Sequence, residues 1–373
     1  MRSIFLSSLD FREDAKTVTK KAHCPRNTMV TFDYDNILEW RIPPSVSEKM
    51  VRIHVAQERV RLWKQQYPDA FEELEKMTHP NAVYYSNACE RIIDNKDEAL
   101  GYISGKILPH DNTGLKIIGY SNARKYILSE AEKGTQLSPE LLFETNRILI
   151  EAFKGSEVDY RKESGPHKGK GVMSVVRHVA NPNDIEALTE ELCTSVEISI
   201  YNKIQPLLLI PAFSCDFQYL SPMIHGNGRL SRLLTEYLLV RTGFDMVRYQ
   251  PLDRFAYANL KRYVSSIYKT SSQRVVVPRE SMPFTEILLE HLDCMSTNLN
   301  IMFPPPMAEK YSKSERVRYV ASGQKKKFTK NDIAPLLPGV SLTLIQQSLS
   351  DMVSENVLSR SGHTKGCKYD FLH

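Results

Sequence analysis

The residues whose types and spacing most plainly suit chemistry are Gly226, Asn227, Gly228, Arg229 and Arg232. They lie inside the run Ser221-Pro222-Met223-Ile224-His225-Gly226-Asn227-Gly228-Arg229-Leu230-Ser231-Arg232. Gly226 and Gly228 can both take up positive φ, which lets successive N–H groups turn into one concavity that suits an anion. The following segment, Leu230 to Val240, carries apolar residues at helical spacing. Its N-terminus would present free N–H groups and a partial positive charge. Arg229 starts that helix and Arg232 follows one turn later on the same side, giving two guanidinium forks matched to phosphate oxygens. An ordinary Gly-rich turn before a core helix explains Gly226 to Gly228 taken alone. With Arg229 and Arg232 attached, the run reads as a cradle for a polyphosphate.

The elements that must position this loop are mostly helices. Ser45 to Gln65, Pro68 to Met77, Pro139 to Phe153, Asp184 to Ile204 and Phe284 to Asn298 carry apolar residues at helical period. A short helix is also expected over Arg254 to Leu260, and an extended segment around Met29 to Phe32. Val172 to Val176 is strand-like and follows the Gly-rich, basic stretch Lys162 to Gly171. A short hairpin there suits docking of a target segment by strand addition, and Lys168 and Lys170 read equally well as a solvated loop.

The loop resembles the signature of the Fic (Fido) family, His-Pro-Phe-x-Asp/Glu-Gly-Asn-Gly-Arg-x-x-Arg. Pro222, Gly226, Asn227, Gly228, Arg229 and Arg232 match, whereas Ser221 replaces the His, Met223 the Phe and His225 the acidic residue. Ile117 to Ala123, Tyr160-Arg161 through His178, Phe217 to Leu220 and Leu233 to Gly243 also resemble family segments, and the resemblance covers roughly residues 40 to 300. It implies a mainly α fold: a Fic-type helical bundle with a small β-hairpin flap, plus a C-terminal winged helix-turn-helix domain. It implies ATP as nucleotide, Mg²⁺ as metal and transfer of AMP to a protein hydroxyl. By position, Gly226, Asn227 and Gly228 would form the anion hole, Arg229 would help hold the phosphates, Arg232 would hold the γ-phosphate, and Tyr257 and Asn259 would face the adenine.

The departures fall on the chemistry. The absent His is the family's general base, and a serine hydroxyl cannot take its proton, a loss on the order of 10²–10⁴ in rate. The absent carboxylate is the family's Mg²⁺ ligand, and a neutral imidazole is a poor substitute for a hard oxygen. His225 stands four residues beyond the vacated position. It reads as a displaced base, as a ligand for a softer metal such as Mn²⁺ or Zn²⁺, or as a side chain that hydrogen-bonds the loop. Upstream, Ser86-Asn87-Ala88-Cys89-Glu90-Arg91 resembles the family's inhibitory motif, departing at Arg91. That likeness implies a helical Glu90 paired with Arg232, competing with an anionic ligand for one guanidinium. Two readings follow. One is an autoinhibited protein adenylyltransferase with weakened or lost activity. The other is a catalytically inactive nucleotide-binding regulator acting through a DNA- or protein-binding tail.

The chain has 373 residues, 42% of them hydrophobic, enough for more than one domain. The expected division is an N-terminal region over 1–114 with its inhibitory helix around 86–91, a core over 115–302, a Pro-rich linker over 303–309 and a winged helix over 310–373. Residues 310–373 carry 11 Lys/Arg against 5 Asp/Glu, and the rest of the chain 38 against 39, so the excess positive charge lies in the tail. The tail reads as helices over Lys310 to Ala321, from Phe328 with Thr329 as N-cap, and over Ser341 to Val353. Strands over Val357 to Arg360 and Cys367 to Phe371 would follow, with a wing over Ser361 to Gly366 between them. Basic charge with Ser341, Thr343, Gln346 and Gln347 on the third helix suits DNA; winged helices also dock proteins or form dimers. No run of about 18 apolar residues is present and the apolar start is too short for a signal peptide. The six scattered cysteines form no Cys-x-x-Cys pair and read as reduced thiols. A cytoplasmic protein with a protein target and no membrane partner is the expectation, with a homo-oligomer left open.

Overall fold

The computed structural model describes residues 32–150, 157–163, 180–273 (backbone alone at 270–273), 282–305, 310–362 and 367–372. After a short 3-10 turn over Asp35–Glu39 come α1 (Pro44–Gln66) and α2 (Pro68–Cys89), followed by α3 (Lys96–Ile103), α4 (Asn112–Lys133) and α5 (Pro139–Ile150). The second half of the body holds α6 (Ile185–Tyr201), α7 (Pro206–Leu220), α8 (Asn227–Arg241), α9 (Leu252–Ala258), α10 (Leu260–Gln273) and α11 (Met282–Met302). The tail adds α12 (Lys313–Ser322), α13 (Lys330–Ile333) and α14 (Leu342–Ser354), then β1 (Leu358–Ser361) and β2 (Lys368–Phe371), which pair antiparallel. The fold is mainly helical, as the periodicity indicates.

The helix starts follow local chemistry. Pro44, Pro68, Pro139 and Pro206 open their helices, where a missing N–H is harmless. Asn95 and Asp111 cap α3 and α4 with side-chain oxygens, and Ser312 and Thr329 form capping boxes with Glu315 and Asp332. The bundle core is built around α7 and α8. Leu230, Leu233, Leu234, Tyr237, Leu238 and Leu239 of α8 are buried, as are Phe213 and Phe217 of α7.

The structure departs from the sequence-based expectation at several helix ends. The helix begun at Pro68 does not stop at Met77: α2 continues through Pro80 to Cys89. Ala82, Val83, Ser86 and Asn87 are buried along its second half, so packing overrides the interruption at Pro80. The Asn81 amide also donates to the Met77 carbonyl. Glu90 is therefore the residue just past the helix end, not a residue within it. Similarly, α9 ends at Ala258 with Asn259 as its C-cap, and α10 begins anew. The expected strand segment at 29–31, the flap over 164–179, the wing over 363–366 and the linker end over 306–309 lie outside the described residues.

Residues 303–305 do not run free through solvent. Phe303 is buried between the rings of Trp63 and Phe71, with centroids 5.4 and 5.0 Å away. Trp63 Nε1 donates to the Pro304 carbonyl at 2.7 Å. Among the described residues the cysteines are free thiols, and no helix is long and apolar enough to cross a membrane.

Candidate functional site

The loop between α7 and α8 is held from three sides. Ser221 closes α7 in the left-handed region, at φ 41° and ψ 61°. Tyr160 and Met223 form an antiparallel bridge, with Arg161 N donating to the Pro222 carbonyl at 2.8 Å and Ile224 N to the Asp159 carbonyl at 3.1 Å. The buried Arg161 guanidinium donates to the carbonyls of Ser221 and Ala180. Asn227 turns its side chain back across the loop: it accepts from Met223 N at 3.0 Å and donates to the Met223 carbonyl at 2.7 Å. From α5, the Asn146 amide donates to the His225 carbonyl at 2.9 Å.

Only one of the two glycines uses left-handed backbone. Gly226 has φ 84° and forms the N-cap of α8, without a side-chain cap. Gly228 lies inside the first turn of α8 with helical backbone, contrary to the positive φ expected of it. Its lack of a side chain serves another end, because a Cβ there would overlap Glu90 Oε1. The concavity is thus a helix N-terminus opened by a glycine rather than a turn bent by two.

Glu90 and Arg232 meet across that first turn, Nη2 to Oε1 at 2.9 Å. Ser86 accepts twice from the same guanidinium, its Oγ from Arg232 Nε at 2.8 Å and its carbonyl from Nη2 at 3.0 Å. Asp253 lies 3.7 Å from Nε and accepts from the Tyr120 hydroxyl. Burial works against the Arg232 cation, but the Glu90 carboxylate, with Cys89 and Asp253, holds its pKa well above the ordinary value. Arg229 is differently placed. Its acceptors among the described residues are neutral: Asn87 Oδ1 at 3.4 Å and the Lys116 carbonyl at 3.2 Å. Burial pulls this guanidinium down to about 10, with Glu90 opposing from a distance. A buried cation with neutral acceptors is a receptive partner for an incoming anion.

The two departures from the signature lie in different surroundings. Ser221 is fully buried, and its Oγ donates to the Gln218 carbonyl at 2.7 Å. The His225 side chain is exposed at the loop tip. Tyr257 lies beside α2, with its ring 5.8 Å from Tyr85 and 6.3 Å from Tyr84, while Asn259 donates to the Phe255 carbonyl of its own helix. The structure thus brings Ser86, Glu90, Gly226, Asn227, Gly228, Arg229 and Arg232 together and places Tyr257 and Asn259 on a neighbouring helix end. Sequence reasoning missed Asn87, Asn146 and Asp253. Each comes from a separate helix; Asn87 lies at an unspecified position of the inhibitory-motif run, and no local motif marks Asn146 or Asp253.

The site fits an anion: Arg232 already holds the Glu90 carboxylate, and Arg229 beside it has neutral acceptors. It does not fit Mg²⁺. His225 stands where the signature has its carboxylate, and a neutral imidazole is a poor substitute for a hard oxygen ligand.

A helical bundle with a Gly-Asn-Gly-Arg-x-x-Arg loop at a helix N-terminus defines a Fic-type fold. Residues 136–239 match the model of the Fic/DOC family. Members of that family commonly transfer a nucleoside monophosphate to proteins and typically use ATP and Mg²⁺. Among solved structures, the chain is similar to a Fic family protein from Desulfovibrio desulfuricans G20, at 16% identity and a TM-score of 0.59, over 89% of this chain and 97% of that one. It is also similar to a Fic domain containing signaling protein from Bacteroides thetaiotaomicron VPI-5482, at 19% identity and a TM-score of 0.55, over 67% and 94%. Fic-1 from C. elegans aligns at 16% identity and a TM-score of 0.54, over 68% and 71%. No curated protein matches in sequence.

Proposed function

We propose that this chain is a nucleotide-binding regulator. It binds the polyphosphate of a nucleoside triphosphate, ATP by family likeness, at the start of α8, and Glu90 competes for the seat. The observation that carries this reading is the Glu90 carboxylate lodged against Gly228 and Arg232, an anion within a set of donors suited to anions. Transfer would join a protein hydroxyl oxygen to the α-phosphorus, expel pyrophosphate and hand the hydroxyl proton to a base. Ser221 Oγ cannot take that proton, because it is buried and donates to Gln218. The tail, residues 310–373, is proposed as the regulator's output, a winged helix for duplex nucleic acid.

AMP transfer is retained as a second reading because the His225 side chain is exposed beside the cradle and could serve as a displaced base. One experiment separates the two. The full chain and Glu90→Gly are titrated with ATP in Mg²⁺ or Mn²⁺, then incubated with ATP labelled on the α-phosphate. The expected result is binding at least about ten-fold tighter in Glu90→Gly, a coupling of the usual size, without covalent label in either protein. Equal affinities overturn the competition. Label lost again in His225→Ala establishes the transferase.

A further inference from the structure

The two ends of α2 do different work. Its first turn holds the tail. The Tyr67 hydroxyl accepts from Tyr311 N at 3.0 Å, and the Arg316 guanidinium lies 5.1 Å from the Tyr67 ring and 4.7 Å from that of Phe303. Gly339, at φ 73°, lets the turn before α14 close on Ala70, where an added Cβ would lie 3.4 Å from the Ala70 Cα. The other end of α2 holds the two arginines of the loop, through Ser86 and Asn87 in its last turn and Glu90 just past it. Between these ends runs one continuous helix of 22 residues, about 33 Å long.

The tail contact is also costly to maintain. Arg316 is buried and donates through Nη1 to the Pro338 carbonyl, but its Nε and Nη2 have no acceptor among the described residues. Ring faces offset part of the cost of burying this cation. The contact therefore lies near balance between the desolvation cost of the cation and its packing on two rings, and loss of that ring packing opens it.

We propose that the tail controls the phosphate seat through α2. While Arg316 and Tyr311 hold its first turn, Glu90 stays on Arg232; release of the tail frees Glu90 and opens the seat to a nucleoside triphosphate. This rests on the nucleotide-binding reading of the loop and adds its regulation. The coupling is reciprocal, so nucleotide that displaces Glu90 also loosens the tail.

The test is a double-mutant cycle on the full chain, reading the affinity for a fluorescent, non-hydrolysable ATP analogue in wild type, Arg316→Ala, Glu90→Gly and the double variant. Arg316→Ala is expected to tighten binding about five-fold or more in wild type and to change nothing in Glu90→Gly. No effect of Arg316→Ala in wild type, or an equal gain with Glu90 absent, overturns the proposal. Should Arg316→Ala fold poorly, Tyr67→Phe removes just the hydroxyl that accepts from Tyr311 N, and a smaller gain of the same sign is expected. Amide exchange over residues 86–92 supplies a readout independent of nucleotide. It should quicken in both tail variants, and unchanged exchange overturns the coupling even if no variant binds the analogue. Absence of binding in Glu90→Gly, by contrast, defeats the nucleotide reading itself.

Discussion

Ser221 and Glu90 show how single atoms decide what the loop can do. The Ser221 hydroxyl is spent on the Gln218 carbonyl, and its left-handed backbone is one that glycine adopts without strain. Ser221→Gly therefore removes one hydrogen bond, about 1 kcal/mol, while relieving a comparable backbone cost. Stability is expected to stay within about 1 kcal/mol of wild type in urea unfolding, with unchanged affinity for ATP. A changed affinity would give the Ser221 side chain a part in the site that its geometry denies. At this scale the placing of the loop at a helix start was legible in sequence because Gly226 to Arg232 is contiguous. The reason for Gly228 was not legible. A glycine that makes room for a residue 138 positions upstream looks the same in sequence as a glycine that bends its own chain.

At the scale of elements, the site depends on α2, α4 and α8 being fastened together by buried polar groups. Arg124 of α4 forms a bidentate pair with Glu236 of α8 and donates through Nη1 to His79 Nδ1 of α2 at 3.1 Å. An arginine has donors alone, so Nδ1 accepts, and Nε2–H is left to donate to Ser121 Oγ at 2.9 Å. His79 is thus held neutral. Burial first, then Arg124 and Lys125, bring its pKa down from 6.5 to about 3. A folded value below the unfolded one means that the unfolded chain binds the extra proton between pH 6.5 and 3. Stability contributed by neutral His79 is present above about pH 6.5 and is lost as pH falls through that window, at up to about 1.4 kcal/mol per pH unit. Thermal unfolding between pH 7 and 5 should show a steeper loss for wild type than for His79→Gln. Equal slopes would contradict the neutral assignment. These ties explain what the sequence hid. The periodicity alone carries the helix from Pro68 to Met77, whereas the partners that extend α2 to Cys89 lie on α4 and α8, more than 40 positions away.

For the whole molecule, the arrangement of the tail bears on its partner. Its contacts with the body use Tyr311 and Arg316, the Tyr319 hydroxyl on the Asn300 carbonyl, and the turn at Gly339. They leave Lys325, Lys326, Ser341, Thr343 and Gln347 exposed. The tail therefore turns uncharged hydrogen-bonding side chains and lysines outward while its aromatic contacts face the body, in a chain whose remainder carries 38 Lys/Arg against 39 Asp/Glu. Such a face suits duplex DNA, where lysines neutralise phosphates and uncharged side chains reach base edges. Binding should be strong at low salt and fall steeply as salt is raised, with a log–log slope near −0.9 for each phosphate neutralised. In a gel-shift titration of the full chain, Lys325→Gln with Lys326→Gln should weaken binding across all sequences and flatten the slope by about 1 for each lysine that meets a phosphate. Gln347→Ala should instead weaken some sequences more than others, because Gln347 donates to Asp351 Oδ1 at 3.0 Å on an exposed helix face and can exchange that acceptor for a base. Absence of a shift at 50 mM salt or below would remove nucleic acid as the tail's partner and leave a protein in its place, whereas a shift lost in the lysine pair alone would mark backbone binding without sequence readout.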